Sequence, residues 1–405
     1  MQNTALEKKL LAYIDDHQQE MYEQLSELIK IDTVNYYTHG NENDGQDYLE
    51  KICREIGLAV DRFAPDSVDG LIANKDYMPG HNTDKRENLV AIFEGEDTSR
   101  SIMLAAHMDT EALCDETLWD DPPLSGLIKD GKIYGRGAGD DKFGLIVAWF
   151  LIKAFKECGI MPKKNILIGS YIDEEGGGGN GALGLALKYP CDCCINLDAS
   201  RLETQALGGG CFQLKLRSTK CDTGIASVFD VFEGVRLVVD KLAELHGRGK
   251  TRIRLSSAEA GHGGSKDGEI GLAIYTDMTV EETQATFDDI CLALKPRFDE
   301  LQLATDGFVL TTRFFIYEET AADSKEAKLL ADLIREETGT PPDTTGSCLS
   351  DLSLLLRYGC KNSFNYGISR GTDGVGNAHQ PNEHIYCDNL LSLTKKVAKV
   401  LVSME

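Results

Sequence analysis

The sequence predicts an α/β protein in two parts: a mixed sheet sandwiched by helices, and inserted into it a smaller domain of β-α-β-β-α-β order. Three observations carry that reading. Apolar runs with strand character alternate with helical stretches along residues 1–207 and again along 320–405. Residues 208–319 read instead as one self-contained series of strand, helix, two strands, helix and strand. Five segments that carry histidine and acidic residues of metal-ligand type lie outside that block, on both sides of it, so the block interrupts a single functional unit.

The elements follow in order. Leu10, Leu11, Ile14, Met21, Leu25, Leu28 and Ile29 recur at helical spacing, which makes the stretch from Met1 to about Leu28 an amphipathic helix. Runs at 89–94, 101–106, 166–172 and 193–197 read as strands with helices between them, one of which is the apolar stretch 145–155. In the middle block, 212–219 alternates as a strand does. Val228, Val231, Phe232, Val235, Val238, Val239, Leu242 and Leu245 then share one helical face. Residues 251–257 and 269–276 give two strands. Thr279-Val280-Glu281-Glu282 is a capping-box signature for a helix to about Leu294, followed by Pro296 and a last strand at 308–317. After the block, 324–337 is a helix stopping before Gly339, Ser350-Asp351 opens an apolar segment, and 388–404 closes the chain as a helix.

The chemistry sits in five segments. Ile102-Met103-Leu104-Ala105-Ala106-His107-Met108-Asp109 is an apolar strand ending in His-x-Asp. A neutral imidazole is a metal ligand, and a nearby Asp can fix its tautomer. Tyr134-Gly135-Arg136-Gly137-Ala138-Gly139-Asp140-Asp141-Lys142 bends the backbone around two adjacent carboxylates, whose repulsion a divalent cation removes. A phosphate loop fits poorly there, because the two acids would repel the anion and the Gly-x-x-x-x-Gly-Lys-Ser/Thr spacing is absent. The run 166–172 delivers Asp173-Glu174-Glu175 and then Gly176-Gly177-Gly178-Gly179. An acidic corner alone suits a solvated turn, but the glycines allow a ligand to approach the backbone closely. Cys193-Cys194-Ile195-Asn196-Leu197 ends in Asp198, and Asn377-Ala378-His379-Gln380-Pro381-Asn382-Glu383-His384 follows near the C-terminus.

Taken in order, these five motifs resemble the co-catalytic zinc peptidases of the aminoacylase, glutamate carboxypeptidase, acetylornithine deacetylase and succinyl-diaminopimelate desuccinylase type. The resemblance covers roughly residues 15–207 and 320–405. It implies a zinc-peptidase-like catalytic domain from 1–207 and 320–405, with 208–319 as a ferredoxin-like lid that also serves as the dimer surface. It implies that Asp140 bridges two metals, that His107 and Asp198 complete the ligands of one, and that Glu175 and His379 complete those of the other. Glu174 becomes the general base and Asp109 the partner that orients His107. A donor set of nitrogen and oxygen without thiolate suits two divalent ions, zinc first, with cobalt or manganese also compatible.

Two departures stand out. Dimeric members carry a histidine in a glycine-rich turn after the first lid strand, whereas 218–224 here has none; His262, in Gly261-His262-Gly263-Gly264, is a substitute donor or a hairpin histidine with no role. Asp277-Met278 stands where an Asp-Arg is common, so a clamp on a substrate carboxylate falls to Arg313 on the last lid strand or to Arg370 near His379. His384 competes with His379 as ligand; His379 holds the family position. His17, His39, His81 and His246 sit in polar or helical contexts and read as surface residues.

Composition narrows the class. The 405 residues are 42% hydrophobic, enough for two packed domains. A net charge of −24 argues against nucleic acid and anionic membrane surfaces. No run reaches the ~20 apolar residues of a membrane span, and the first residues lack the pattern of a signal peptide. The twelve cysteines are expected reduced, in a cytoplasmic enzyme. Three functional readings follow: a dinuclear metal-dependent peptidase of the dipeptidase or carboxypeptidase type acting on a small peptide, an N-acyl amino acid deacylase with the same metals, or a catalytically silent metal-binding relative. A non-ligating Glu174 beside the metals argues against the third.

Overall fold

The computed structural model describes residues 2–36, 38–81, 83, 85–220, 225–261, 266–368 and 376–403. His262 and Arg370 lie outside the described residues. The first stretch of chain holds α1 (Gln2–Ile29), α2 (Glu42–Glu55), β1 (Ala59–Phe63), β2 (Asn88–Phe93), β3 (Asp97–His107), β4 (Ile128–Lys129), β5 (Lys132–Tyr134), α3 (Lys142–Glu157), β6 (Lys164–Tyr171), α4 (Asn180–Lys188), β7 (Cys193–Asn196) and β8 (Leu202–Glu203). Then come β9 (Gln205–Ala206), β10 (Gly208–Ser218), α5 (Ile225–Leu245), β11 (Arg252–Ala260), β12 (Asp267–Thr276), α6 (Val280–Leu301), β13 (Leu303–Ala304), β14 (Phe308–Leu310) and β15 (Glu318–Glu319). The chain ends with α7 (Lys325–Thr338), α8 (Leu352–Leu354), β16 (Ser363–Tyr366), β17 (His384–Tyr386) and α9 (Cys387–Ser403). These form two compact units: Met1–Gln205 with Glu319–Thr345 and Leu354–Glu405, and Ala206–Glu318 with Gly346–Ser353. Among the described residues no helix is long and apolar enough to cross a membrane.

The first unit is the mixed α/β sandwich the sequence predicts. Its seven-stranded sheet runs β1-β2-β6-β3-β7-β16-β8. The four central strands are parallel, and β1, β2 and β8 are antiparallel additions at the edges. Burial on both faces explains why the central strands read as continuous apolar runs. Ile102, Leu104, Ala106, Ile166 and Ile168 pack into one core with α1, α3 and α9. Met103, Ala105 and Leu167 point the other way, against Leu183 and Leu185 of α4. Helix α3 starts three residues earlier than expected, immediately after Asp141, and nearly all of it is buried.

The second unit has the predicted β-α-β-β-α-β order. Its antiparallel sheet runs β11-β12-β10, with β13 and β14 both on the far side of β10. Phe212, Leu214 and Leu216 face a core shared with Val231, Val235 and Val238 of α5 and Phe287, Leu294 and Phe298 of α6. The Thr279–Glu282 capping box forms as expected. Two details differ from expectation. Helix α6 runs through Pro296 to Leu301, because Leu292, four residues earlier, faces solvent, where its carbonyl can be hydrated, while buried Phe298 anchors the added turn. The expected strand at 308–317 stops at Leu310: Cys211 N–H donates to the Thr312 hydroxyl (3.0 Å) and breaks the ladder, leaving one bridge between Gly209 and Phe315. Arg313 therefore lies beyond the strand, buried, and not on it.

Candidate metal centre

Parallel pairing brings three of the five motifs to one edge. His107, the last residue of β3, is opposite Tyr171, the last of β6. Ala105 is opposite Asn196, the last of β7. The residues just past these ends, Asp173–Glu175 and Asp198, therefore leave the sheet beside His107, at the carboxyl edge where α/β sheets build sites. Two further contacts add the remaining motifs. Strand β17 pairs with β5, setting His384 opposite Tyr134. Just beyond, the buried Glu383 carboxylate accepts from Arg136 Nη1 (2.6 Å) and from Gly139 N–H (2.9 Å). That clamp ties the Asp140 loop to the His379 loop, and burial, partly offset by Arg136, lifts the Glu383 carboxyl to about 6. The Asp140-Asp141 peptide is cis.

Asp140 lies at the centre. Its Oδ1 is 3.0 Å from His107 Nε2 and its Oδ2 is 3.0 Å from His379 Nε2. His379 Nε2 is also 3.1 Å from Glu175 Oε2. Among the described residues three groups of ligand atoms lie within 4.8 Å of one another: His107, Asp140 and Asp198; His107, Glu174 and Glu175; Glu111, Glu175 and His379. Two donors bound at about 2.0–2.1 Å to one tetrahedral cation sit about 3.3 Å apart. The observed separations are a few tenths shorter, so one carboxylate with an imidazole at each oxygen suits a bridge between two cations. The donors are nitrogen and carboxylate oxygen, which fits a divalent first-row metal.

The electrostatics express the same arrangement. Burial alone would keep both imidazoles neutral. The Asp140 carboxylate and its acidic neighbours instead raise His107 well above its usual value, and Asp140 with Glu175 raises His379 to about 11. The two imidazoles in turn outweigh burial at Asp140 and hold it well below the carboxylate range. Burial lifts Glu175 to about 8. An acidic cluster that draws positive charge onto its histidines is a candidate site for cations.

Asp109 does more than the expected orientation of one ring. Its backbone carbonyl, not its carboxylate, accepts from His107 Nδ1 (2.8 Å), which directs Nε2 at Asp140. The carboxylate Oδ1 is 3.7 Å from that ring. Its Oδ2 accepts three N–H groups, from Asn35 Nδ2 and from the amides of Glu174 and Glu175, each at 2.9 Å. Asp109 thus fixes the acidic pair as well as the imidazole.

Sequence reasoning missed several residues. Glu111 approaches Glu175 and His379, and its amide donates to Glu175 Oε1 (3.1 Å); its place two residues past Asp109 was the available signal. Asn35 had none. Asp141 is fully buried and, among the described residues, neither of its carboxylate oxygens has a hydrogen-bond partner. His81 is not a surface residue: its Nδ1 is 2.9 Å from Asp173, whose carboxylate also lies 3.6 Å from Arg86. His384 turns Nδ1 to the Asn382 carbonyl (2.9 Å) and belongs to none of the candidate ligand groups.

Residues 103–403 match the family described as Peptidase family M20/M25/M40. Over 204 residues the chain is 27% identical to N-formyl-4-amino-5-aminomethyl-2-methylpyrimidine deformylase of Halalkalibacterium halodurans, covering 50% of this chain and 44% of that protein. The chain spans less than half the length of the curated relatives it matches. Its fold is similar to that of a tripeptidase of Staphylococcus aureus (TM-score 0.70, 17% identity, 95% of this chain and 97% of that one). It is also similar to a Bacillus subtilis protein described as a dinuclear metal binding peptidase (TM-score 0.63, 10% identity, 96% and 98% covered).

Proposed function

Because the chain belongs to Peptidase family M20/M25/M40, we propose that it is a hydrolase cleaving an amide or peptide bond of a small substrate at two divalent cations, zinc foremost. The observation that carries this is the Asp140 carboxylate, with His107 at one oxygen and His379 at the other. His107, Asp140 and Asp198 would hold one cation; Asp140, Glu175 and His379 the other. Bound there, the cations would lower the pKa of a water and polarise the scissile carbonyl. Glu174 takes the proton of that water and returns it to the leaving amine. Asp109 holds the Glu174 and Glu175 amides, so base and ligand keep a fixed spacing. In this proposal residues 208–319 act as a lid and homodimer surface, Arg313 clamps a substrate carboxylate, His262 serves as the substitute histidine donor to the substrate, and the enzyme works in the cytoplasm.

The leading substrate class is a dipeptide or other small peptide. A second reading, removal of an acyl group from nitrogen, is favoured by the deformylase relative. Dipeptides and N-acyl amino acids tested on metal-loaded enzyme separate the two. Glu174→Ala decides the mechanism: turnover is expected to fall by about 10²–10⁴-fold while metal content stays near two per chain. Substantial residual activity would remove Glu174 as the base. A wild-type protein that binds two metals yet cleaves no amide would be the silent relative.

A further inference from the structure

The opposite end of the catalytic sheet, where β6 and β16 begin, carries a cavity of about 500 Å³ lined in part by Arg100, Lys164, Ser324, Lys325, Glu326 and Asn362. That volume suits a small metabolite. Lys164 is 6% exposed, and among the described residues its ammonium has no hydrogen-bond or ion-pair partner. Its stem is packed away while it lines the concavity, so a cationic group without a direct ion pair faces that space, and such an arrangement points to an anion. Asp97, whose charge acts with that of Lys164, is itself occupied by the amide and hydroxyl of Ser99.

A second feature converges on the same space. The fourteen-residue helix α7 begins here. Its Ser324 cap accepts from the Ala327 amide (3.1 Å), and among the described residues the amides of Lys325 and Glu326 have no partner. Free N–H groups and the positive end of the helix dipole favour an oxyanion. Lys325 and Arg100 add positive charge; among the described residues Arg100 engages Asp192 through Nε alone (3.4 Å). Of the two carboxylates in the lining, Asp323 and Glu326, the latter is engaged by Asn362 Nδ2 (2.9 Å).

We propose that this cavity binds a small oxyanion, a phosphoryl or carboxylate head group, held by Lys164, Lys325 and the first amides of α7. It is separate from the metal centre, which occupies the other end of the same parallel strands, and it stands whether or not the proposed hydrolase activity does.

The test is thermal unfolding of metal-loaded enzyme titrated with inorganic phosphate, with citrate, and with sodium chloride at matched ionic strength. The wild type is expected to gain roughly 2–4 °C over chloride once the anion exceeds its Kd about tenfold, and the larger of the two gains identifies the head group. Lys164→Met keeps the apolar stem and is expected to abolish the gain while keeping wild-type turnover. Should that variant fail to fold, exposed Lys325→Glu carries the same expectation. No gain over chloride in the wild type overturns the site. So does a gain that survives both substitutions, which would place the anion at the metal centre.

Discussion

The two flanks of the metal centre are built differently. On one side of Asp140, His107 is the last residue of a central strand and has no solvent exposure, and Asp198 follows two residues after the end of the next strand. On the other side, His379 sits in a loop at φ 63° with its side chain 44% exposed, and Glu175 precedes a run of glycines. The first flank is fixed by the sheet that forms the core. The second is held by side-chain clamps: Glu383 on the Asp140 loop, Asp109 on the acidic pair, Arg86 and His81 on Asp173. One half of the candidate centre therefore comes with the fold, while the other half depends on polar contacts that can be removed one at a time.

The largest expected effect falls on both flanks together. Asp140→Asn takes away the shared charge, so metal content should drop from two per chain to one or none and turnover should fall by at least about 10³-fold, as read by elemental analysis and a dipeptide assay. Retention of two tightly held metals would show that the flanks do not share a ligand.

The two histidines then separate the flanks. Either change to Ala should lose one metal and most activity. Stability should part them. His107→Ala opens a buried cavity and removes the imidazole from Asp140 Oδ1, costing about 2–4 kcal/mol in denaturant unfolding of the metal-free protein. His379→Ala, on the exposed loop, should cost less than about 1 kcal/mol. Equal losses would dissolve the distinction.

Asp109→Ala is expected to act on both sides at smaller scale. It leaves three N–H groups without their acceptor and loosens the loop carrying Glu174 and Glu175. Second-row partners of this kind typically alter activity or metal affinity by about 10–100-fold. A kcat loss in that range with metal content near two would support the clamp; loss of metal alone would assign Asp109 to ligand orientation only.

The same contrast explains what could be read from the sequence. The strand-borne flank was legible because an apolar run that ends in His or Asp is conspicuous, and parallel strands must end at one edge. The Asp140 loop and the Glu175 segment stood out as acids set among glycines, but their individual roles, and that of His379, rested on the familiar order of the motifs. The clamps were not legible: Asn35 meets Asp109 across 74 positions and Arg86 meets Glu42 across 44, and nothing local marks either pair. His81 failed for the same reason, since its partner Asp173 is 92 positions away. The break at Thr312, which took Arg313 off its strand, arises from one side-chain hydroxyl replacing a ladder acceptor.

The smallest effect on turnover, and the finest probe of the loop-borne flank, concerns Glu42. This buried carboxylate accepts from Arg86 Nε through both oxygens (3.0 Å each), and Arg86 in turn faces Asp173 at the base of the Glu174 loop. Burial raises Glu42 from 4.5 to about 7, with Arg86 opposing the rise only in part. A carboxyl whose folded pKa exceeds its unfolded one contributes stability that is complete below about pH 4.5 and is lost as pH rises through about 7. At 1.36 kcal/mol per pH unit the full change is at most about 3 kcal/mol. Glu42→Gln keeps an acceptor for Arg86 but cannot titrate. Between pH 4.5 and 7 the stability of the wild type, relative to this variant, should therefore decline, while turnover at neutral pH changes by less than about threefold. Parallel stability curves across that window would mean that Arg86 keeps Glu42 ionised throughout, and that the network behind the loop is a permanent ion pair.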